Sequence, residues 1–112
     1  MSFVVLFRNR HRPGMDEAAY EKAFEQMYAI VSEMDGFISI EGFTGEDGSE
    51  LALVRFDSDE AIEAWKSQPD HVRTQQRGRD EFYSSYDITV AEVTRAYSWS
   101  APVAEVAAGR TG

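Results

Sequence analysis

Two of the strands predicted from this sequence carry apolar side chains on both of their faces. The first spans residues 3–10 and begins with five consecutive apolar residues, and the third spans residues 51–56. Because neighbouring residues of a strand point to opposite sides, both sides of these two strands are apolar. A strand of this kind has to be covered on both sides. The chain therefore needs an architecture that hides both faces of its sheet.

Helix signals lie on either side of the central strands. Asp16 is the predicted N-cap of helix one, and Ser58 is the predicted N-cap of helix two. Pro69 suits the first position of a further short helix, which Gly78 is expected to loosen or end. Helix one is expected to end near residue 34, with Gly36 as the left-handed residue after it.

The remaining segments are predicted strands and turns. Asp47 and Gly48 predict a type I′ hairpin turn between strands two and three. The predicted strands are residues 3–10, 37–44, 51–56 and 86–97.

The predicted order is β-α-β-β-α-β, which is the ferredoxin-like pattern of α+β proteins. Two helices cover only one face of a four-stranded sheet. The other face would expose several hundred Å² of apolar surface, which soluble monomers rarely do. The sequence therefore predicts a homodimer in which a second copy covers this face.

Composition excludes several classes of function. The 112 residues fit one domain, for which we expect residues 1–99, followed by a flexible tail of residues 100–112. A formal net charge of −9 argues against nucleic acid and against anionic membranes as partners. The chain has no cysteine, so disulfides and thiolate metal sites are excluded. The opening apolar run is too short for a signal peptide, and we expect a cytoplasmic protein.

The second half of the chain carries a recognisable set of residues. Ala64 and Trp65 lie on helix two, and His71 follows six residues after Trp65. The segment QRGRDEFYSSY, residues 76–86, comes next. With the predicted element order, this set resembles the antibiotic biosynthesis monooxygenase (ABM) domain over roughly residues 2–99. The resemblance implies a dimeric α+β barrel, which agrees with the two-sided strands.

Two chemistries follow from the resemblance. Some members oxidise polycyclic phenolic substrates with dioxygen and need no metal or flavin, because the substrate anion itself donates the electron. Others bind and degrade haem with an Asn near the end of strand one, a Trp on helix two and an axial His nine or ten residues later. Asn9 and Trp65 match the first two positions, but Thr74 and Gln75 stand where that histidine is expected.

Three residues are the candidate catalytic groups. His71 could act as a general base on a phenolic or enolic substrate, or it could be a surface histidine beside Asp70. Trp65 could form the wall of a flat aromatic site, or pack in the core of an amphipathic helix. Asn9 could bind a carbonyl oxygen or dioxygen, or bond to the turn that follows strand one.

Four more residues are candidate substrate contacts. Phe24 belongs to an aromatic stripe on helix one whose ordinary role is core packing. Tyr83 and Tyr86 could present hydroxyl groups to a ligand, or lie at a barrel rim or dimer contact. Arg73 could bind an anionic substrate or a haem propionate, or belong to a solvated, salt-bridged face.

Three functions remain open from the sequence. The first is cofactor-independent oxygenation of a small aromatic, polyketide-like molecule by dioxygen. The second is haem degradation by the same fold. The third is a non-catalytic dimer that binds a small molecule, because a fold does not fix a function.

Overall fold

The computed structural model of the chain describes residues 2–103, so residues 104–112 of the predicted tail lie outside the described residues. Within this range the chain forms four strands, three α-helices and one π-helical turn. They are β1 (Ser2–His11), α1 (Glu17–Val31), β2 (Phe37–Thr44), β3 (Glu50–Phe56), α2 (Asp59–Lys66), α3 (Pro69–Arg77), the π-helical turn (Gly78–Phe82) and β4 (Tyr83–Val93). Across residues 2–103, no helix is long and apolar enough to span a membrane.

The four strands form one antiparallel sheet with the order β2-β3-β1-β4. This arrangement confirms the predicted ferredoxin-like α+β fold. β1 lies in the middle, where Val5 faces Val54 of β3 on one side and Val90 of β4 on the other. Since β1 is paired along both edges, it fixes which residues of β3 and β4 share a face.

The helices pack on one face of the sheet. The buried cluster on this face joins Val31 of α1, Val54 and Phe56 of β3, and Ala61 and Ile62 of α2. The predicted caps hold the helix starts in place: the Asp16 carboxylate accepts the Ala19 N–H at 3.1 Å, and the Ser58 hydroxyl oxygen accepts the Ala61 N–H at 3.1 Å. Each such cap stabilises its helix by about 1 kcal/mol.

The opposite face of the sheet remains apolar and open. Leu6 of β1 lies opposite Leu53 of β3, and Leu51 lies opposite Phe43 of β2. The two β3 leucines and Leu6 are half-buried, whereas Phe43 is largely exposed. No helix among the described residues covers this surface. The two-sided apolar character read from the sequence is thus present in the fold.

The fourth strand differs from the prediction at both ends. It begins at Tyr83 because the Arg12 N–H donates to the Phe82 carbonyl oxygen at 2.8 Å, which extends the β1 pairing to the pair His11–Tyr83. It ends at Val93 because the register pairs Val93 with Ser2, the first residue of β1. No β1 residue is therefore left to pair with residues 94–97, and the predicted bounds of 86–97 were wrong.

The β2–β3 turn and the end of helix α1 also differ from the prediction. In the β2–β3 hairpin only Gly48 has a positive φ, of 82°, while the Gly48 N–H donates to the Gly45 carbonyl oxygen. That pattern is a type I turn followed by a left-handed glycine, so the type I′ prediction was wrong. Helix α1 ends at Val31, before the predicted end, and successive turns lead to Gly36 with the predicted positive φ of 87°.

Candidate active site

A large cavity lies between the helices and the inward face of the sheet. It encloses about 910 Å³, a size within the range of small-molecule sites. Its floor consists of inward-facing strand residues, most of them apolar, including Phe7, Ala52, Val54, Ile88 and Val90. The sheet register brings them together because they occupy facing positions on β1, β3 and β4. The cavity can hold a flat, largely apolar ligand.

His71 and Trp65 form one unit in the wall of this cavity. Their rings stack, with centroids 3.8 Å apart and planes 11° apart. Pro69, four residues after Trp65, has no N–H, so the Trp65 carbonyl oxygen accepts the Gln68 N–H at 3.2 Å and keeps a lone pair for a second donor. The His71 Nδ1–H donates to that oxygen at 2.8 Å. Because a carbonyl oxygen only accepts, Nδ1 carries the proton and Nε2 of the neutral ring is the basic atom.

The local sequence fixes the backbone of His71 as well. Gln68 caps helix α3, and its side-chain oxygen accepts the His71 N–H at 2.8 Å. Pro69 occupies the first turn of α3, as predicted. Burial lowers the pKa of the His71 imidazole, and the hydrogen bond to the Trp65 carbonyl opposes that effect. The ring is therefore neutral at pH 7 and able to accept a proton at Nε2.

Asn9 lies in the cavity wall at the end of β1. Its side chain is only 4% exposed, and its Oδ1 has no hydrogen-bond partner among the described residues. The alternative that Asn9 bonds to the following turn is therefore not what the structure shows. Asn9 faces Glu50 across the β1–β3 pair and Tyr86 across the β1–β4 pair. An unpaired buried amide costs about 1–3 kcal/mol, which a ligand would recover by bonding to it.

An aromatic corner adjoins Asn9. The Tyr83 hydroxyl donates to the Tyr20 hydroxyl at 3.4 Å, and the ring of His11 lies 4.6 Å from the ring of Tyr20. Burial raises the pKa of both tyrosines, so both hydroxyls stay neutral at pH 7. Gly78 leaves room for the Tyr83 ring, because a Cβ on residue 78 would lie only 2.8 Å from Tyr83 Cε2. α-Helical bonding ends at Arg77, and the chain continues through Gly78 as the π-helical turn.

The other predicted contacts fall in different places. Phe24 and Tyr86 line the cavity, Phe24 with much of its ring exposed. The Arg79 guanidinium donates to the Tyr86 hydroxyl at 3.0 Å. Arg73 does not reach the cavity: its side chain is 70% exposed and pairs with Asp70. The salt-bridged surface reading of Arg73 is the one that the structure favours.

The cavity differs from the haem-degrading pattern at the position of the axial ligand. Thr74 and Gln75, at the positions of the expected axial histidine, line the cavity, and neither type of side chain is an axial ligand in haem proteins. His71 lies one helical turn earlier, and it is the sole histidine of the described lining. Arginine is absent from the described lining, so the cavity has no guanidinium group that could bind a haem propionate with two hydrogen bonds. The lining therefore departs from the haem-degrading pattern at the axial position and at the propionate-binding groups.

Three residues of the polar end were not predicted as site residues. These residues are Tyr20, His11 and Glu50. A signal was nonetheless present in the strands. On β1 and β3 the inward positions are apolar until Asn9 and Glu50, the two facing residues where the polar end begins. Within residues 2–103, no group of three or more His, Cys, Asp and Glu side chains could hold a metal ion.

Comparison with known proteins shows which family this sequence matches. The pattern of the family described as antibiotic biosynthesis monooxygenase matches residues 2–77. A similar sequence is the uncharacterized protein YqjZ of Bacillus subtilis, 29% identical over 80 residues that cover 71% of this chain and 70% of that protein.

Solved structures share the fold at low identity. Rv0793 from Mycobacterium tuberculosis has a TM-score of 0.74 at 18% identity, covering 88% of this chain and 100% of that one. SnoaB from Streptomyces nogalater, described as a cofactor-independent oxygenase, has a TM-score of 0.70 at 13% identity, covering 85% and 95%. The family match spans most of the chain and includes both Trp65 and His71, and the chain therefore belongs to the antibiotic biosynthesis monooxygenase (ABM) family.

Proposed function

We propose that this protein is a monooxygenase that oxidises an electron-rich, hydroxylated aromatic molecule with dioxygen and without a cofactor. The observation that carries the proposal is the neutral His71, whose Nδ1–H is held by the Trp65 carbonyl while Nε2 is left basic in an apolar cavity. Membership of the ABM family supports the reaction class. The shared fold with a cofactor-independent oxygenase supports the absence of a cofactor.

The reaction begins with proton transfer from the substrate to His71 Nε2. The substrate anion passes an electron to dioxygen, and the two radicals combine to give a carbon-bound peroxide. The O–O bond then breaks, and the departing oxygen takes the proton from His71 and the remaining hydrogen of the oxygenated carbon, so that water leaves and a carbonyl group stays on the product. One oxygen atom of dioxygen ends in the product and the other in water. The apolar floor surrounds the reacting carbon and dioxygen with side chains that do not react with the peroxide.

Trp65 and Asn9 have supporting roles in this proposal. The indole of Trp65 orients the imidazole by stacking and offers an aromatic wall to the substrate. The amide of Asn9 bonds to a substrate oxygen at the far polar end of the cavity, where it lacks a partner in the chain. Phe24, Tyr83 and Tyr86 complete the contact surface.

Oxygen uptake tests the proposal directly. The purified protein is mixed with a panel of anthrones and hydroxyquinones, and dioxygen consumption and product formation are followed together. We expect uptake with at least one anthrone and its conversion to the matching quinone. Binding without oxygen uptake would favour a non-catalytic binding protein. A shift of the haem Soret band on mixing with haemin would favour the haem-degrading alternative, against the donor set of the cavity.

The proposal includes a homodimer. The apolar face around Leu6 and Leu53 has no cover in the described chain, and a second copy of the chain would present the same apolar side chains to it. The ion pair between Arg8 and Asp87, 3.2 Å apart, lies on the same face and would form part of a polar rim. The cytoplasmic location read from the sequence stays a prediction.

A further inference from the structure

Carboxylates dominate the charged groups around the cavity. One ammonium group stands against five carboxylates in the described lining, which gives a formal charge of −4 with His71 neutral; a sixth acidic residue, Glu41, is paired with Leu53 and faces the open side of the sheet. The five acidic residues are Glu21, Glu25, Glu50, Asp59 and Glu63, and the basic one is Lys66. When charges of one sign line a cleft with low-dielectric walls, their electric field is concentrated inside the cleft. An anionic ligand therefore meets repulsion as it enters.

Glu50 brings this charge into the polar end of the cavity. It faces Asn9 across the strand pair, its side chain is 47% exposed, and His11 Nε2 lies 3.9 Å from Glu50 Oε2. That distance is too long for a hydrogen bond, so the carboxylate is able to accept one from a ligand. The neighbouring Tyr20 and Tyr83 hydroxyls and the Asn9 amide are uncharged. No cationic group of the described lining lies at this end to bind a ligand carboxylate.

We propose that the cavity selects aromatic substrates that carry hydroxyl groups and no acidic group, and that Glu50 is the residue that sets this preference. The inference rests on the proposed oxygenase function and names its substrate class. A substrate hydroxyl donates to the Glu50 carboxylate, whereas a substrate carboxylate meets that group as a like charge. The substrate anion formed during the reaction is a different case from a substrate carboxylate. Its proton stays on His71, so the net charge of the complex does not change.

A matched pair of ligands tests the preference. The probes are a dihydroxyanthraquinone that carries a hydroxymethyl group and the analogue in which that group is a carboxylic acid. At pH 7 and about 0.05 M salt, we expect the neutral probe to bind about tenfold more tightly or better. Raising the salt to about 0.5 M should narrow the ratio, because screening weakens repulsion at the exposed rim.

Two variants assign the effect to Glu50. Glu50→Gln keeps the size and hydrogen-bonding capacity of the side chain and removes its charge, so we expect the ratio to fall to about threefold or less through tighter binding of the acid. Glu46→Gln removes a charge from an exposed hairpin residue outside the lining, and it should keep the wild-type ratio. Thermal melting of both variants confirms that they fold.

The outcomes separate this inference from the proposed function. Equal binding of the two probes, or tighter binding of the acid, overturns the charge preference and leaves the oxygenase proposal standing. An unchanged ratio in Glu50→Gln overturns the role of Glu50. If neither probe binds and no anthrone is oxidised, the oxygenase proposal fails and this inference fails with it.

Discussion

The imidazole of His71 lies flat against the indole of Trp65, with ring centroids 3.8 Å apart, and its Nδ1 is bonded to the carbonyl oxygen of that same tryptophan at 2.8 Å. One residue therefore supports the ring of His71 twice, by its side chain and by its backbone. The stack fixes the plane of the imidazole, and the hydrogen bond fixes its tautomer. Together they hold a neutral base in a set direction, which is what a general base requires.

The substitution His71→Asn separates the base from its support. The asparagine amide nitrogen occupies the place of Nδ1 and can still donate to the Trp65 carbonyl, but no basic atom replaces Nε2. We expect turnover of an anthrone to fall by about 10²- to 10⁴-fold, the usual contribution of a general base. The measurement is oxygen uptake at saturating substrate, with thermal melting as the control for folding. Full turnover by the variant would contradict the role of His71.

The same histidine should affect stability at acidic pH. Its pKa in the folded protein lies below the ordinary value of 6.5, so between the two values the unfolded chain binds a proton that the folded chain does not. The folded state is therefore penalised as the pH falls below 6.5. We expect the melting temperature of the wild type to fall more steeply than that of His71→Asn between pH 7 and pH 5. Parallel curves would contradict the lowered pKa.

Gly42 offers a way to fill the cavity without disturbing the fold. It lines the cavity from β2, and a Cβ at this position would meet no atom within 4 Å. Leucine also suits a strand better than glycine. We expect Gly42→Leu to fold with a melting temperature near that of the wild type and to bind a hydroxyanthraquinone about tenfold more weakly or worse.

Gly42→Ala is the matched control for this experiment. It adds one methyl group to a cavity of about 910 Å³, so its affinity should stay near the wild-type value. Unchanged binding by Gly42→Leu would show that the ligand lies elsewhere.

A charge on the open face of the sheet should prevent self-association. Leu53 lies opposite Leu6 near the middle of that face, and Leu53→Asp would place a carboxylate in the proposed interface. We expect sedimentation to show a dimer for the wild type and a monomer for this variant at micromolar concentration. Val72→Asp, at an exposed position of α3, adds the same charge elsewhere and should remain dimeric. A monomeric wild type would contradict the dimer.

Gly36 should be the least replaceable of the turn glycines. Its φ is 87°, and a Cβ there would lie 2.5 Å from Asp57 Oδ1 and 2.6 Å from Ala61 Cβ. Gly36→Ala should therefore lower the free energy of unfolding by about 3 kcal/mol or more, from strain and overlap together. At Gly48 φ is also positive but the space is open, so Gly48→Ala should cost about 1–2 kcal/mol. Urea unfolding measures both; equal losses would contradict the steric term.

The parts of the fold that depend on local sequence were predictable. Asp16, Ser58 and Pro69 define helix starts by their own side chains, and the structure confirms all three. The fold class followed from the order of the elements and from apolar residues on both sides of the strands. These signals lie within a few residues of what they specify, so one sequence is enough to read them.

The parts that depend on strand register were not predictable. β4 ends where its partner β1 begins, which the sequence of β4 does not encode. Glu50 enters the site only because antiparallel pairing places it opposite Asn9. Arg73 carries a suitable charge, but the rotation of α3 turns its side chain towards Asp70 and solvent. Composition indicates what a side chain can do, and only the three-dimensional arrangement decides where it does it.

The two tryptophans of the chain report on very different surroundings. Trp65 is stacked on His71, while Trp99 is 82% exposed. A protonated imidazole quenches indole emission more strongly than a neutral one, so the intrinsic fluorescence of Trp65 should dim as His71 gains its proton. With Trp99 replaced by phenylalanine, the emission becomes an internal optical indicator of the protonation state of the proposed base, readable without any substrate.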